Sequence, residues 1–247
     1  MAVLKSSPAF LVLAFAFAFF LCFIMSTGSY VYFQFVQQWP PTNCRVRIKR
    51  PCSNPRPLQI FTIHGLWPSN YSNPTMPSNC IGSQFNETKL SPKLRNKLKR
   101  SWPNVESGND TELWEHEWNK HGTCAEQTLN QMQYFQRSHG MWYPHSITEI
   151  LKNASIVPSP NQTWTYSDIV SPIKKAIRRT PLLRCKPVPA LPKSQRGPKS
   201  QRAQPNSRPQ SQLLHEVVYC YDYDALKLID CNRTAGCWNN VDIKFPP

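Results

Sequence analysis

The eight cysteines that follow an apolar N-terminal run restrict the fold of this 247-residue chain more than any other feature. The run covers residues 9–25, and its 17 residues are all apolar. Lys5 before it, and the small residues Ser26 and Gly28 after it, are typical of a secretory signal peptide. A membrane anchor is the alternative, because a run of this length is close to the shortest that spans a bilayer. We expect a signal peptide over residues 1–28 and a secreted protein without a membrane segment.

The cysteines agree with export. Cys22 belongs to the signal peptide, and the even number that remains indicates up to four disulfides. Spacing alone does not decide their pairing, and no pair has the CxxC spacing that favours a zinc site. Six Asn-X-Ser/Thr sites predict glycosylation on the same route. The cysteines are Cys44, Cys52, Cys80, Cys124, Cys185, Cys220, Cys231 and Cys237, and the glycosylation sites are Asn70, Asn86, Asn109, Asn153, Asn161 and Asn232.

Charge and composition narrow the class of protein. The chain carries 29 Lys and Arg against 14 Asp and Glu, a net charge of +15. This balance predicts an anionic partner, such as a nucleic acid, an acidic glycan or a membrane surface. The length and the 8 Trp allow a large core, which excludes a wholly disordered chain.

One stretch departs from the rest of the composition. From residue 186 to residue 212 there are six Pro and six Lys or Arg, and no acid. Such a segment buries too little apolar area to fold, and it lies between Cys185 and Cys220. We therefore expect a single domain over residues 29–247, with a disordered basic insertion at about 186–212.

Local patterns predict alternating strands and helices. Residues 30–36 and 58–64 alternate like strands, and the second strand ends at His64, where Gly65 allows a sharp turn. A helix is expected from Asp110 or Thr111, one of which caps it, through His121 to a stop at Gly122. Further helices are predicted at 127–136 and 167–179, and late strands at 217–221 and 225–229.

A separate helix begins at Ser91 and Pro92, which suit a cap and a first turn. Leucines recur every four residues on one side of it, and Lys93, Arg95, Lys97, Lys99 and Arg100 fill the rest. These cations form either an ordinary solvated face or a row that contacts phosphates. Without further evidence we expect the solvated face.

Reactive side chains concentrate in two segments. The first is FTIHGLWP, residues 61–68, in which Trp67 provides a flat apolar surface beside His64. The second is ELWEHEWNKHGTC, residues 112–124. At about 100° per helical residue, one broad face of this segment carries two His, a Glu and a Lys, while Glu115, Trp118 and Asn119 point elsewhere. The residues that share the face are Leu113, Trp114, His116, Glu117, Lys120 and His121.

A zinc-protease motif is a possible interpretation of this helix. That motif places two His four residues apart on one face, whereas His116 and His121 are five apart. Lys120 between them would also repel a divalent cation. We therefore expect no metal ion and no cofactor.

Metal-free acid–base chemistry accounts for the same residues. One His takes a proton, a second His gives one to a leaving group, and Lys with a protonated His neutralises charge on a phosphate. RNA supplies its own nucleophile, the ribose 2′-OH, which explains why no activated Ser or Cys is evident. Together with the basic surface, these groups predict cleavage of single-stranded RNA.

The two segments resemble the active-site segments of the T2-type secretory ribonucleases, in the same order and about 50 residues apart. The resemblance covers residues 30–247 apart from the basic insertion. The start YVYFQFVQQWPPTNC and the end CNRTAGCWNNVDIKF are more similar still to the S-ribonucleases of rose-family (Prunus-like) fruit trees, which reject self pollen. The resemblance implies an α+β fold, with a central antiparallel sheet, packed helices and four disulfides. These pair Cys44–Cys52, Cys80–Cys124, Cys185–Cys237 and Cys220–Cys231.

Residue roles follow from the same resemblance. His121 resembles the general base for the 2′-OH, His64 the general acid for the 5′-oxygen and His116 the phosphate-binding histidine, while Glu117 and Lys120 resemble the pair that supports the transition state. A 2′,3′-cyclic phosphate forms first and is later opened. Positions that match substrate contacts are Gln38, Trp67, Asn104, Val105 and Leu113.

Partners follow by analogy with the S-ribonucleases. Pollen F-box proteins would meet exposed loops such as residues 69–79, and we expect a monomer in the extracellular matrix of the pistil. The alternative is a secreted basic module that binds RNA or acidic glycans without chemistry. That alternative leaves the paired histidines and Glu117 unexplained.

Overall fold

A sheet of seven strands organises the chain, and the long strand β5 lies at its centre. The computed structural model describes residues 30–46, 52–53, 57–71, 76–189, 211–232, 236–238 and 240–247. The strand order is β2-β1-β5-β7-β3, and β4 and β6 also pair with β5. Every pairing is antiparallel except that of β5 with β7. The strands are β1 Tyr32–Gln38, β2 Thr62–Ser69, β3 Thr163–Trp164, β4 Leu182–Pro187, β5 Ser211–Tyr221, β6 Leu228–Ile229 and β7 Asp242–Lys244.

Six α-helices accompany the sheet in the described part of the chain. They are α1 Pro40–Val46, α2 Pro92–Ser101, α3 Asp110–Lys120, α4 Gln131–Trp142, α5 Ile147–Asn153 and α6 Tyr166–Ile177. Two short 3-10 helices, Glu87–Lys89 and Gly122–Ala125, complete the set. The α+β fold predicted above is confirmed. None of the described helices is long and apolar enough to span a membrane.

Local chemistry explains why α2 and α4 begin where they do. Ser91 Oγ accepts a hydrogen bond from the Leu94 amide, and Pro92 occupies the first turn of α2, as predicted. Helix α4 begins later than predicted because Asn130 and Gln133 form a capping box ahead of its first turn.

Tryptophan side chains join the helices to the sheet. Buried indole N–H groups need an acceptor, and five of them donate to backbone carbonyl oxygens at 2.8–3.0 Å. The Trp102 indole, directly after α2, donates to the His64 carbonyl in β2. The Trp114 indole of α3 donates in turn to the Trp102 carbonyl. These bonds fix the positions of α2 and α3 relative to the strand that carries His64.

Two strand predictions and the bounds of the predicted insertion need correction. Strand β2 begins at Thr62 and continues to Ser69, so His64 does not end it and Gly65 makes no turn. The last predicted strand, at 225–229, covers only Leu228–Ile229. It begins later than predicted because Ala225 lies in a turn with a left-handed φ of 55°. At the ends of the expected insertion, Pro187 pairs with Gln212, so 186–187 and 211–212 belong to β4 and β5. Residues 190–210 of the insertion and the predicted signal peptide lie outside the described residues.

Four disulfides tie the connecting segments to this frame. Cys80–Cys124 holds the segment before α2 against the short helix after His121, and Cys185–Cys237 holds β4 against the C-terminal segment. Cys44–Cys52 and Cys220–Cys231 close shorter loops. These are the four pairs that the resemblance implies.

Candidate active site

A single cleft of about 620 Å³ collects all ten side chains that the sequence singled out for catalysis and substrate binding. Strand β1 contributes Gln38 at its end, and β2 contributes His64 and Trp67. The loop between α2 and α3 adds Asn104 and Val105. Helix α3 and its C-cap add the remaining five, which are Leu113, His116, Glu117, Lys120 and His121.

Helix α3 presents its residues at the spacing that one helix face requires. Leu113, His116, Glu117 and Lys120 lie three or four residues apart, and His121 caps the helix with its amide on the Glu117 carbonyl at 2.9 Å. The side chains differ in burial, since Glu117 and His121 are each 3% exposed whereas His116 is exposed.

Two details of α3 differ from the prediction. Its N-cap is Asn109, whose Oδ1 accepts from the Glu112 amide at 3.3 Å, and not Asp110 or Thr111. The Asp110 carboxylate accepts from the Asn104 amide at 2.7 Å instead, which anchors the loop of Asn104 and Val105 at the cleft. The second difference is Trp114, for which the helical spacing predicts a position on the reactive face but which packs in the core, 1% exposed.

A β-bulge aims His64 into the cleft. Val36 pairs with Gly65 and Gln37 with Ile63, so His64 is an extra residue in β2. A bulge changes the alternation of side chains, which lets His64 and Trp67 line the same cleft although they are three residues apart. Gly65 has a different role from the turn predicted for it. A Cβ there would lie 2.1 Å from Trp67 Nε1 and 2.3 Å from Glu117 Oε2, so only glycine leaves room for both groups.

Trp67 connects the two histidines and the carboxylate. Its indole N–H donates to Glu117 Oε2 at 2.8 Å. Its ring lies 5.0 Å from the His64 ring and 5.1 Å from the His121 ring, measured between centroids. Trp67 therefore fixes the spacing of the reactive groups of β2 and α3 across the cleft.

Glu216 of β5 lies beneath His64, and it is a site residue that the sequence motifs do not indicate. His64 Nδ1 and Glu216 Oε1 are 2.6 Å apart, and Arg184 of β4 donates to Glu216 Oε2 at 3.1 Å. Arg184 also donates to Gln34 Oε1 and lies over the Trp67 ring, 5.2 Å from its centroid. A carboxylate 5% exposed inside the apolar run of β5 needs such partners, and that requirement is the sequence signal that could have identified it.

The surroundings of His64 and His121 shift the pKa values of the two side chains in opposite directions. Burial, and then the positive charges of Lys120 and the other two histidines, lower the pKa of His121 to about 3. Burial also disfavours the charged form of His64, but the adjacent Glu216 carboxylate outweighs it and raises the pKa of His64. His121 is therefore neutral at neutral pH and can accept a proton, while His64 retains its proton more strongly than a free histidine.

The pKa values of Glu117 and Glu216 are also shifted in opposite directions. Burial raises the pKa of Glu117, and the positive charge of His64 and the Trp67 hydrogen bond offset this only in part. Burial acts on Glu216 in the same sense, but His64, His215 and Arg184 together hold the pKa of Glu216 far below its usual range. Glu216 is thus the permanent anion beneath the cleft.

Comparison with known proteins gives a consistent result. The model of the Ribonuclease T2 family matches residues 30–231. Ribonuclease MC of Momordica charantia is 36% identical over 206 residues, which is 83% of this chain and 96% of that protein. Ribonuclease S-1 of Pyrus pyrifolia is 34% identical over 211 residues, covering 83% of this chain and 82% of that protein.

Two tomato relatives differ in the location that their names state. Extracellular ribonuclease LE of Solanum lycopersicum is 34% identical, over 87% of this chain and 86% of its own length. Intracellular ribonuclease LX of the same species is 31% identical, over 93% of this chain and 89% of its own length.

Solved structures share the fold. A mutant of RNase MC1 in complex with 5′-GMP superposes with a TM-score of 0.73 at 34% identity, covering 88% of this chain and 100% of that chain. Japanese pear S3-RNase gives a TM-score of 0.68 at 29% identity, covering 87% of this chain and 100% of that chain. The family match, the identities and the shared fold agree: the chain belongs to the Ribonuclease T2 family and is an RNA endonuclease.

Proposed function

We propose that this enzyme cleaves single-stranded RNA by metal-free acid–base transesterification in the cleft described above. His121 removes the proton from the ribose 2′-OH, and the oxygen attacks the adjacent phosphorus. The bond from phosphorus to the 5′-oxygen breaks as His64 gives that oxygen its proton, leaving a 2′,3′-cyclic phosphate. Water later opens the ring to a 3′-phosphate, with the two histidines in exchanged roles.

The other cleft residues support the phosphate and the bases. His116 binds the phosphate, and Lys120 with Glu117 stabilises the transition state. Trp67 and Gln38 contact the substrate, and Asn104, Val105 and Leu113 contact a further base. The side-chain amide of Asn104 already donates to Ser107 and to the Asn109 carbonyl. We therefore expect the surface of the loop, and not this amide, to contact the base.

One observation carries this proposal. Two histidines face the same indole from two different elements, and their surroundings shift their pKa values in opposite directions. A neutral base and a protonated acid on either side of one phosphate are what the reaction requires.

Removal of either histidine should abolish most of the activity without unfolding the protein. We expect His64→Ala and His121→Ala each to lower kcat/KM on a dinucleotide substrate by about 10²–10⁴-fold, because each removes a proton-transfer partner. His145→Ala is the matched control, since His145 lies outside the cleft. Near-full activity of His121→Ala, in a protein with unchanged circular dichroism, would contradict the assignment.

We further propose that Glu216 positions His64 and keeps it protonated. Glu216→Gln should shift the alkaline limb of the pH–kcat/KM profile downwards by about one to two pH units. The sign follows from the charges around His64, because without Glu216 its burial and Arg184 both favour the neutral ring and only Glu117 still favours the charged one. Activity then falls at a lower pH, where the acid loses its proton.

Two variants give this test its controls. Glu216→Asp retains the charge and should restore the alkaline limb in part. Glu115→Gln removes one carboxylate from the exposed side of α3 and should leave the limb where it is. A uniform loss of activity in Glu216→Gln, with an unshifted profile, would reduce Glu216 to a structural residue.

We also propose that the chain is a secreted, monomeric glycoprotein, with one ribonuclease domain over residues 29–247. The apolar N-terminal run, the four disulfides and the similarity to extracellular ribonuclease LE support export, whereas intracellular ribonuclease LX is a relative of different location. Of the six predicted glycosylation sites, Asn70 is half-buried and the other five are exposed. The exposed sites are Asn86, Asn109, Asn153, Asn161 and Asn232.

A finer proposal is that this enzyme is a pistil S-ribonuclease of self-incompatibility. Two observations support it: the segments YVYFQFVQQWPPTNC and CNRTAGCWNNVDIKF resemble S-ribonucleases, and the chain is similar to Ribonuclease S-1 of Pyrus pyrifolia. Pollen F-box proteins are then the partners of its exposed loops. A style that expresses this chain as a transgene should reject pollen of one S-haplotype and accept others. Acceptance of pollen of every haplotype, despite ribonuclease activity in the style, would contradict this role.

A further inference from the structure

A second groove, of about 750 Å³, shares no lining residue with the active-site cleft. Helix α2 forms one wall, the end of α4 and the start of α5 form the other, and Phe61 lies between them. We call it the basic groove. Its lining residues on α2 are Lys93, Asn96, Lys97 and Arg100, and those opposite include His139, Trp142, Tyr143, Ser146, Thr148 and Glu149.

Three cations of α2 face this groove in a row. Lys93, Lys97 and Arg100 follow one another at four and three residues, which places them along about 10 Å of one helix face. All three are exposed, and none forms an ion pair with a residue that the structure describes. Arg95, which does not line the groove, pairs instead with Glu87 at 2.9 Å. The groove side of α2 thus retains its positive charge for a ligand.

The opposite wall supplies aromatic rings. Tyr143 is 78% exposed, so most of its surface is free for a planar partner. Trp142 is half-buried, and its indole donates to the Phe61 carbonyl at 2.8 Å, which fixes its position. Aromatic rings opposite a row of cations are the combination that binds single-stranded nucleic acid without sequence preference, through base stacking and phosphate contacts.

Two segments of the chain carry lining residues of both the basic groove and the cleft. On α2 the row of cations ends at Arg100, four residues before Asn104 of the cleft. On the strand side Phe61 precedes His64 by three residues, which is at most about 10 Å along the chain. Between them, the Trp102 indole donates to the His64 carbonyl. A strand that leaves the cleft at this end therefore reaches the groove within a few nucleotides.

We propose that the basic groove holds single-stranded RNA that flanks the cleaved bond. This proposal rests on the ribonuclease function proposed above and adds a second binding site to it. The α2 cations contact backbone phosphates, and Tyr143 stacks on a base. The groove then raises the affinity for long RNA, while the chemistry stays in the cleft. This assigns a ligand to the cationic face of α2, which the sequence alone favoured as a solvated surface.

The test compares long and short ligands. In the triple variant Lys93→Gln/Lys97→Gln/Arg100→Gln, we expect the KM for a 20-nucleotide RNA to rise at least tenfold, with kcat and the dinucleotide kcat/KM within twofold of the parent. Binding of a 2′-deoxy 20-mer should weaken at least tenfold, and its log Kd–log salt slope should fall by about 2, for three lost contacts. Tyr143→Ala should weaken the same binding at least fivefold.

A matched control separates the groove from net charge. Lys152→Gln/Lys174→Gln/Lys175→Gln removes three exposed helical cations outside the groove and should change binding of the 20-mer less than twofold. Equal losses in both triple variants, or no loss in the groove variant, would overturn the proposal. Binding of an acidic peptide in place of the oligonucleotide would overturn it too. Because the 2′-deoxy ligand is not cleaved, this measurement stands even if the parent protein shows no ribonuclease activity.

Discussion

The ion pair between His64 and the buried carboxylate of Glu216 is the interaction on which the cleft depends. A carboxylate in the interior is costly unless it is paired and hydrogen-bonded, and Glu216 meets that condition through His64 and Arg184. His64 comes from β2, whereas Glu216 and Arg184 come from β5 and β4, which lie far along the chain from β2. The sheet must therefore form before His64 has the partner that orients it and keeps it charged.

The fold also gives the two histidines different electrostatic surroundings, which shift their pKa values in opposite directions. His64 lies on the sheet, above a permanent anion, whereas His121 lies at the end of α3, buried and close to Lys120. Trp67 lies between the two rings and is bonded to Glu117, so sheet and helix meet at one side chain. The proposed acid and the proposed base thus differ because of where the fold places them, since both are the same residue type.

Much of the cleft could be predicted from the sequence, because a helix fixes which side chains share a face. The spacing of Leu113, His116, Glu117 and Lys120 is sufficient for that, and the structure brings them together. Trp114 was misplaced because its angle on the helix lies close to the border between cleft and core. The four-disulfide α+β fold followed from a family resemblance, since spacing alone left the pairing open.

Other features depend on contacts that no local pattern encodes. The direction of the His64 side chain depends on a β-bulge, which shifts the alternation of side chains along β2 by one residue. The alternating pattern of the sequence does not reveal this bulge, and it predicts instead that the strand ends at His64 and turns at Gly65. Glu216 contacts His64 across 152 residues of sequence. The basic groove likewise exists only where α2 packs near the end of α4, which makes the cationic face of α2 one wall of a groove.

³¹P NMR of the products of a dinucleotide, in the presence of a chelator, distinguishes the proposed mechanism from a metal-dependent one. The proposed mechanism makes the ribose 2′-OH the nucleophile and assigns the proton transfers to two histidines, without a metal ion. It predicts an undiminished rate with EDTA, a 2′,3′-cyclic phosphate as the first product and a 3′-phosphate after it. A 5′-phosphate product, or loss of activity that added Mg²⁺ or Zn²⁺ restores, would contradict it.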